Sequence, residues 1–224
     1  MTPTFFPRKR HPIDRPAPLK LVLATRNRKK MEEIQRILAL AEGQLLSLDD
    51  FSACPDVVED GVTFADNADK KALSVAVFTG LHALADDSGL VVDALDGAPG
   101  VYSARYAGAG ASDAQNVSKL LQELAARPQA PRSARFECVL SLASPQGVRS
   151  RFRGTVEGRI ATEPQGHNGF GYDPIFIPEG FDLSFACMDA AAKDSMSHRG
   201  RALAALAREI NNFFVIKNVS MQVP

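Results

Sequence analysis

Hydrophobic spacing along the chain alternates between two periods. Residues 19–25, LKLVLAT, form a short apolar run that predicts a buried strand. The following KKMEEIQRILAL places Ile34, Ile37 and Leu38 at helical spacing, and QLLSLDDF predicts a second strand. Residues 63–79 set Phe64, Ala68, Ala72, Val75 and Ala76 along one helical face. LHALADDSGLVVDAL then predicts two β-like runs broken at Ser88-Gly89. Ser112 and Gln115 make a capping-box pattern ahead of the helix NVSKLLQELAAR. SARFECVLSLASPQGVRSRFRGTVEGRI predicts a long hairpin turning at Pro145-Gln146-Gly147, and IFIP a short strand. The last helix starts near Ser197, with Leu203, Leu206, Ala207 and Ile210 as its stripe. Early alternation of strand and helix, interrupted by a hairpin, predicts an α/β fold with a mixed sheet flanked by helices.

Composition narrows the setting. The chain has 224 residues, 45% of them hydrophobic, with 26 basic against 26 acidic side chains. That balance argues against a globally basic nucleic-acid binder, although a basic patch remains open at 26–30 and at RKRH (8–11). No apolar run nears the ~18 residues of a membrane span. Cys54, Cys138 and Cys187 lack metal-type spacing and are expected to be buried reduced thiols. The start is proline-rich and basic without an apolar signal core, so residues 1–18 are expected to be a flexible tail of a cytoplasmic protein. The expected domain spans 19–215, with a C-terminal tail over 216–224.

Four segments carry candidate chemistry. In ATRNRKKMEEI a strand gives way to a helix whose start holds Arg28, Lys29 and Lys30. Cations oppose the dipole there unless an anion binds, so Thr25, Asn27, Lys30 and backbone N–H groups could cradle phosphate. A solvated basic turn would give the same pattern. Asp86 and Asp87 interrupt an apolar run, and strand alternation sends them to opposite sides. One could serve as an Mg²⁺ ligand or a base for water, or both could satisfy a local turn. In GHNGFGYDPIF, Phe170 offers a stacking face between glycines, or packs into the core. In KDSMSHRG, His198 and Arg199 again put cations at a helix start, near Lys193.

Together these segments resemble the inosine triphosphate pyrophosphatase family over residues 19 to 210. The match runs in order through ATRNRKKMEEI (Thr25, Asn27, Lys30, Glu33), EDGVTFADNADKKA, ADDSGLVVDALDGAPGVYSARYAG, GFGYDPIF and SHRGRAL. The resemblance implies an elongated mixed sheet in two lobes with a central cleft. It implies Mg²⁺-dependent hydrolysis of deaminated purine nucleoside triphosphates (ITP, dITP, XTP) to monophosphate and pyrophosphate, by a homodimer with no nucleic-acid or membrane partner.

By motif match, Asp87 is the catalytic, metal-linked base, with Glu59 rather than Asp60 as the second metal ligand. Substrate would be held by Thr25, Arg26, Asn27, Arg28, Lys29 and Lys30 at the phosphates, and by Ser88. Phe170, Gly171, Tyr172, Asp173, Lys193, His198 and Arg199 would hold base and sugar. Arg26 and Lys29 stand where many members have glycine. Donors such as Arg199, a protonated His198 or a backbone N–H would favour a base with a C6 oxygen over adenine. A septum-formation-type nucleotide pyrophosphatase would share the architecture, but SHRG and GFGYDP argue against it. A nucleic-acid-binding module is the reading from another class.

Overall fold

The computed structural model describes residues 20–40 and 43–210. The expected tails at 1–18 and 216–224, including RKRH, lie outside them. Six strands form one mixed sheet in the order β2-β1-β3-β4-β5-β6. β1 (Leu21–Leu23) pairs in parallel with both β2 (Leu45–Leu46) and β3 (His82–Val92). β3, β4 (Ser133–Ser144), β5 (Gly147–Ile160) and β6 (Phe176–Pro178) follow antiparallel. The mixed α/β sheet with flanking helices is thus as expected.

Strand alternation sorts the core. Leu21, Leu23 and Leu84 face α1 (Arg28–Leu38) and α5 (His198–Ile210), packing with Ile34, Leu38, Leu203 and Leu206. The opposite parity, Val22, Ala24, Ala83 and Ala85, meets Ala72, Val75 and Ala76 of α2 (Phe64–Thr79). Alanines on both partners let α2 lie close to the sheet. Farther along the first face, Leu90 and Val92 pack with Val117, Leu120 and Leu124 of α3 (Asp113–Ala125) and with Phe136, Phe176 and Phe185. Between these two clusters, that face of β3 carries only Asp86 and Ser88.

Capping explains several boundaries. Thr63 caps α2 and Ser112 caps α3, each in a reciprocal box with the third helical residue. The expected second strand stops early because Ser47 and Asp50 form another capping box, which turns Leu48–Phe51 into a 3₁₀ helix. The expected strand at IFIP is confined to Phe176–Pro178, after a 3₁₀ turn over Asp173–Ile175. A short helix unforeseen in sequence, α4 (Ala190–Met196), is capped by Asp189.

The expected break at Ser88-Gly89 does not exist. β3 runs through it and stays in register with β4. Gly89 serves another purpose: a Cβ there would lie 2.4 Å from both the Gly100 carbonyl and Ser103 Oγ. Ser103 Oγ instead accepts the Leu90 N–H at 2.9 Å, docking the 3₁₀ segment Gly100–Arg105 onto the strand. Cys187 is exposed, contrary to expectation, whereas Cys54 and Cys138 are buried free thiols. No helix among the described residues is long and apolar enough to cross a membrane.

Candidate active site

The sheet's own topology opens the site. The chain leaves β1 towards β2 on one side, while β3 pairs on the other, so the end of β1 is a switch point. Crevices form at such points outside strand carboxyl ends. Along β3, β1 pairs with His82, Ala83 and Leu84 alone, and the bond from Ala24 N–H to the Leu84 carbonyl ends the contact. The β3 edge beyond Leu84 therefore borders a cleft of about 410 Å³, large enough for a nucleotide-sized ligand. Of the residues expected to hold metal or substrate, all but Arg28 and Lys29 line it.

Asp86 and Asp87 divide the chemistry by face. Asp86 is fully buried on the α1/α5 side, where Lys30 pairs with it and Arg199 Nε lies at 3.0 Å. Cys138 Sγ donates to it at 3.1 Å. Burial alone would raise its carboxyl, but Arg199 and Lys30 hold it well below the ordinary aspartate range. It is a permanent anion that seats two cations. Lys30, in turn, keeps a raised pKa: burial opposes its charge most, but Asp86 and Asp87 together outweigh it.

Asp87 turns to the α2 face. Asn67 Nδ2 donates to it at 3.1 Å and Lys71 Nζ lies 3.4 Å away. The same ammonium is 3.1 Å from Glu59 and 2.8 Å from the Asp86 carbonyl. Burial pushes the Asp87 carboxyl above its ordinary value, and Glu59 adds to that against the pull of Lys71 and Lys30. Asp60 points away, pairing with Lys70 at 2.6 Å on the exposed side. Glu59 and Asp87 thus share one cation across the cleft wall. Two hard-oxygen carboxylates in one cation's reach suit Mg²⁺, which binds one or two carboxylates and completes its shell with water and phosphate.

Asn67 and Lys71 were missed in sequence. The signal was present: both interrupt the apolar stripe Phe64, Ala68, Ala72, Val75 at positions i and i+4, which is where a buried face carries polar groups only if they have partners.

Behind the cleft runs a buried chain of alternating charge. Lys193 Nζ bonds Glu33 at 2.8 Å and Asp173 at 2.5 Å, and Arg199 Nη1 donates to Glu33. Burial pushes the Glu33 carboxyl up, but Arg199 and Lys193 overrule it and keep Glu33 ionised. Arg199 gives Nε to Asp86 and Nη2 to Asp86 and Ser88. Four of its five N–H donors are thus spent on the protein, leaving one on Nη1. Arg199 is first a cross-link between α5, α1 and β3.

His198 corrects a further expectation. Burial, reinforced by Arg199 and Lys193, holds its pKa well below the ordinary value, so the ring is neutral rather than a cation. It stacks on Phe136, 4.6 Å between centroids and 11° between planes. Its Nδ1 has no hydrogen-bond partner among the described residues.

The β1–α1 turn is organised by its own side chains. Thr25 Oγ1 accepts the Asn27 N–H, and Asn27 Oδ1 caps Lys30 N–H. Helix geometry leaves the Arg28 and Lys29 N–H groups without intrahelical carbonyls. The side chains of this turn are not all free for phosphate. Arg26 binds the Cys54 carbonyl at 2.8 Å and Asp56 at 2.7 Å. Arg28 pairs with Glu32 on the exposed face, away from the cleft. Lys29 approaches Asp113 instead. Lys30 turns inward, to Asp86.

Phe170 closes the far side. Lys193, Arg199 and Lys29 lie 5.0, 5.7 and 5.8 Å from its ring centroid. Tyr172 is buried beneath it, donating to the Ser103 carbonyl at 2.9 Å.

This chain is similar to several known proteins. A dITP/XTP pyrophosphatase of Geobacter sulfurreducens is 54% identical over 187 residues, covering 84% of this chain and 94% of that one. A second, from Desulforamulus reducens, is 48% identical over 90% of this chain and all of its own length. Among solved structures, a HAM1 protein from Coxiella burnetii superposes with a TM-score of 0.80 at 44% identity, covering 87% of this chain and 99% of that one. The Ham1 family profile matches residues 21–209, and the resemblance carried by five ordered motifs holds: this chain belongs to the Ham1 family.

Proposed function

We propose that this chain hydrolyses deaminated purine nucleoside triphosphates (dITP, ITP and XTP) to the monophosphate and pyrophosphate, and so clears them from the nucleotide pool. The observation that carries this reading is one cleft that joins the Asp87–Glu59 pair to the start of α1. The names of the 54% and 48% identical relatives support the substrate class.

On this reading the phosphates lie at the α1 start, against the N–H groups of its first turn and Lys30. Glu59 and Asp87 would hold Mg²⁺, which when bound neutralises phosphate charge and polarises the phosphorus. Asp87 positions or deprotonates the attacking water, and Asn67 and Lys71 fix its carboxylate. The α-phosphorus is attacked and pyrophosphate leaves. The base lies against Phe170, with the remaining Arg199 N–H or a neutral His198 N–H facing its C6 oxygen. Adenine would set donor against donor, costing about 1–3 kcal/mol per unsatisfied group. The two ends of the sheet act as lobes of one domain over 19–215. The enzyme is a homodimer, and unpaired buried Cys54 and Cys138 suit a reducing cytoplasm.

The test is incubation with inosine, xanthosine, guanosine and adenosine triphosphates plus Mg²⁺, with pyrophosphate and orthophosphate measured separately. Pyrophosphate from the first two alone is expected. Orthophosphate release, or equal use of adenosine triphosphate, would sink the reading.

A further inference from the structure

Phe170 lies between two glycines of positive φ, Gly169 at +74° and Gly171 at +59°. Such backbone is strained for other residues, and it leaves the ring on a segment with freedom to re-aim. Two carboxylates restrain that segment. Asp173 Oδ2 accepts the Phe170 N–H at 2.8 Å from within the loop, and Asp113 Oδ2 accepts the Gly171 N–H at 2.8 Å from the facing helix. Asp113 is the first residue of α3, so its position is as fixed as that helix. Leu120 and Leu124 bury α3, and Asn116 ties it to Ala107 N–H and the Ala104 carbonyl. Lys29, at the start of α1, approaches the same Asp113 oxygen at 4.0 Å.

Phe170 is also a partition. It lines the cleft on one side and, with Lys29 and Lys193, a second cavity of about 450 Å³ on the other. A ring released from its restraints has space to turn into that cavity and away from the cleft. Asp173, itself held by Lys193 of α4, fixes the Phe170 amide on one side of the ring. Asp113 restrains the other side, where it holds the Gly171 amide from α3.

We propose that Asp113 is a positioning residue: its carboxylate latches the Gly171 backbone to α3 and so holds the Phe170 ring as a stacking wall for the purine. The proposal rests on the reading of Phe170 as the base platform. Its determinant is a single accepted hydrogen bond, so an amide oxygen at this position would serve nearly as well as a carboxylate.

Two measurements test it on the full chain. In Asp113→Ala, hydrogen exchange at the Gly171 amide accelerates and inosine monophosphate binds about five- to tenfold more weakly, the loss expected for one hydrogen bond. Asp113→Asn restores both to within about twofold, because the bond is kept while the charge is lost. Side chains at this exposed helix start leave the fold intact, which circular dichroism checks. Unchanged Gly171 exchange and unchanged affinity in Asp113→Ala, or an Asn variant as weak as the Ala variant, would overturn the latch. A wild-type protein that releases no pyrophosphate would count against the parent reading alone, since the exchange measurement needs no ligand.

Discussion

Asp86 and Asp87 are neighbours with opposite duties, and alternation on one strand is the cause. Asp86, ionised beside Lys30 and Arg199, works from behind the cleft. Asp87, with Asn67 and Lys71, faces into it. Asp87→Asn should therefore cut turnover by about a hundredfold or more while nucleotide affinity changes little, read from kcat and equilibrium binding. Retained turnover under saturating Mg²⁺ would remove Asp87 from the mechanism. Glu33 is of a different kind. It is the anion shared by Lys193 and Arg199, so Glu33→Ala leaves two buried cations one carboxylate short and should destabilise the fold by about 3–5 kcal/mol in urea titrations. The sequence marked Glu33 only as part of a motif. Nothing local in MEEIQ says which glutamate turns inward; that depends on where α4 and α5 bring Lys193 and Arg199.

Elements were legible where one period ran long enough. The helices at 64–79 and 113–125 and the hairpin 133–160 could be read from spacing and caps. The misreadings came where a polar or glycine residue has a tertiary purpose. Gly89 looked like a strand break but admits the Gly100 carbonyl and Ser103. Gly154, in mid-β5, has the same logic: a Cβ there would lie 2.0 Å from the His198 carbonyl and 2.6 Å from Ala202 N. These are backbone atoms in the first two turns of α5 and cannot yield. Gly154→Ala should push α5 off the sheet, lower the thermal midpoint by several degrees for each ~1 kcal/mol lost, and weaken nucleotide binding through His198 and Arg199. A thermal scan showing wild-type stability would mean that the α5 seat is softer than its geometry implies. The helix starts were legible for another reason: cations where the dipole disfavours them pointed to unusual partners. At α5 those partners are buried carboxylates rather than a bound anion alone.

At the scale of the molecule, a sheet covered by α1 and α5 at one end and by α3 with the 172–187 segment at the other leaves polar residues between. That gap cannot be seen in sequence, because it is set by how short β1 is relative to β3. The buried charges also set a pH response. His198 and His82 have lowered pKa values when folded, chiefly from burial. At these two positions the unfolded chain therefore binds more protons below the ordinary histidine pKa of about 6.5, and their contribution to stability falls as pH drops through that value. The urea midpoint should be lower at pH 5 than at pH 7. His198→Gln should reduce that slope; an unaltered slope would show that the His198 ring is not held neutral.

The claim that joins these scales is that water, placed by Asp87, attacks the phosphorus nearest the sugar. Hydrolysis of inosine triphosphate in heavy-oxygen water reads this directly by mass spectrometry of the products. The account predicts one heavy oxygen in the inosine monophosphate and none in the pyrophosphate. Label in the pyrophosphate, or in released orthophosphate, would contradict it.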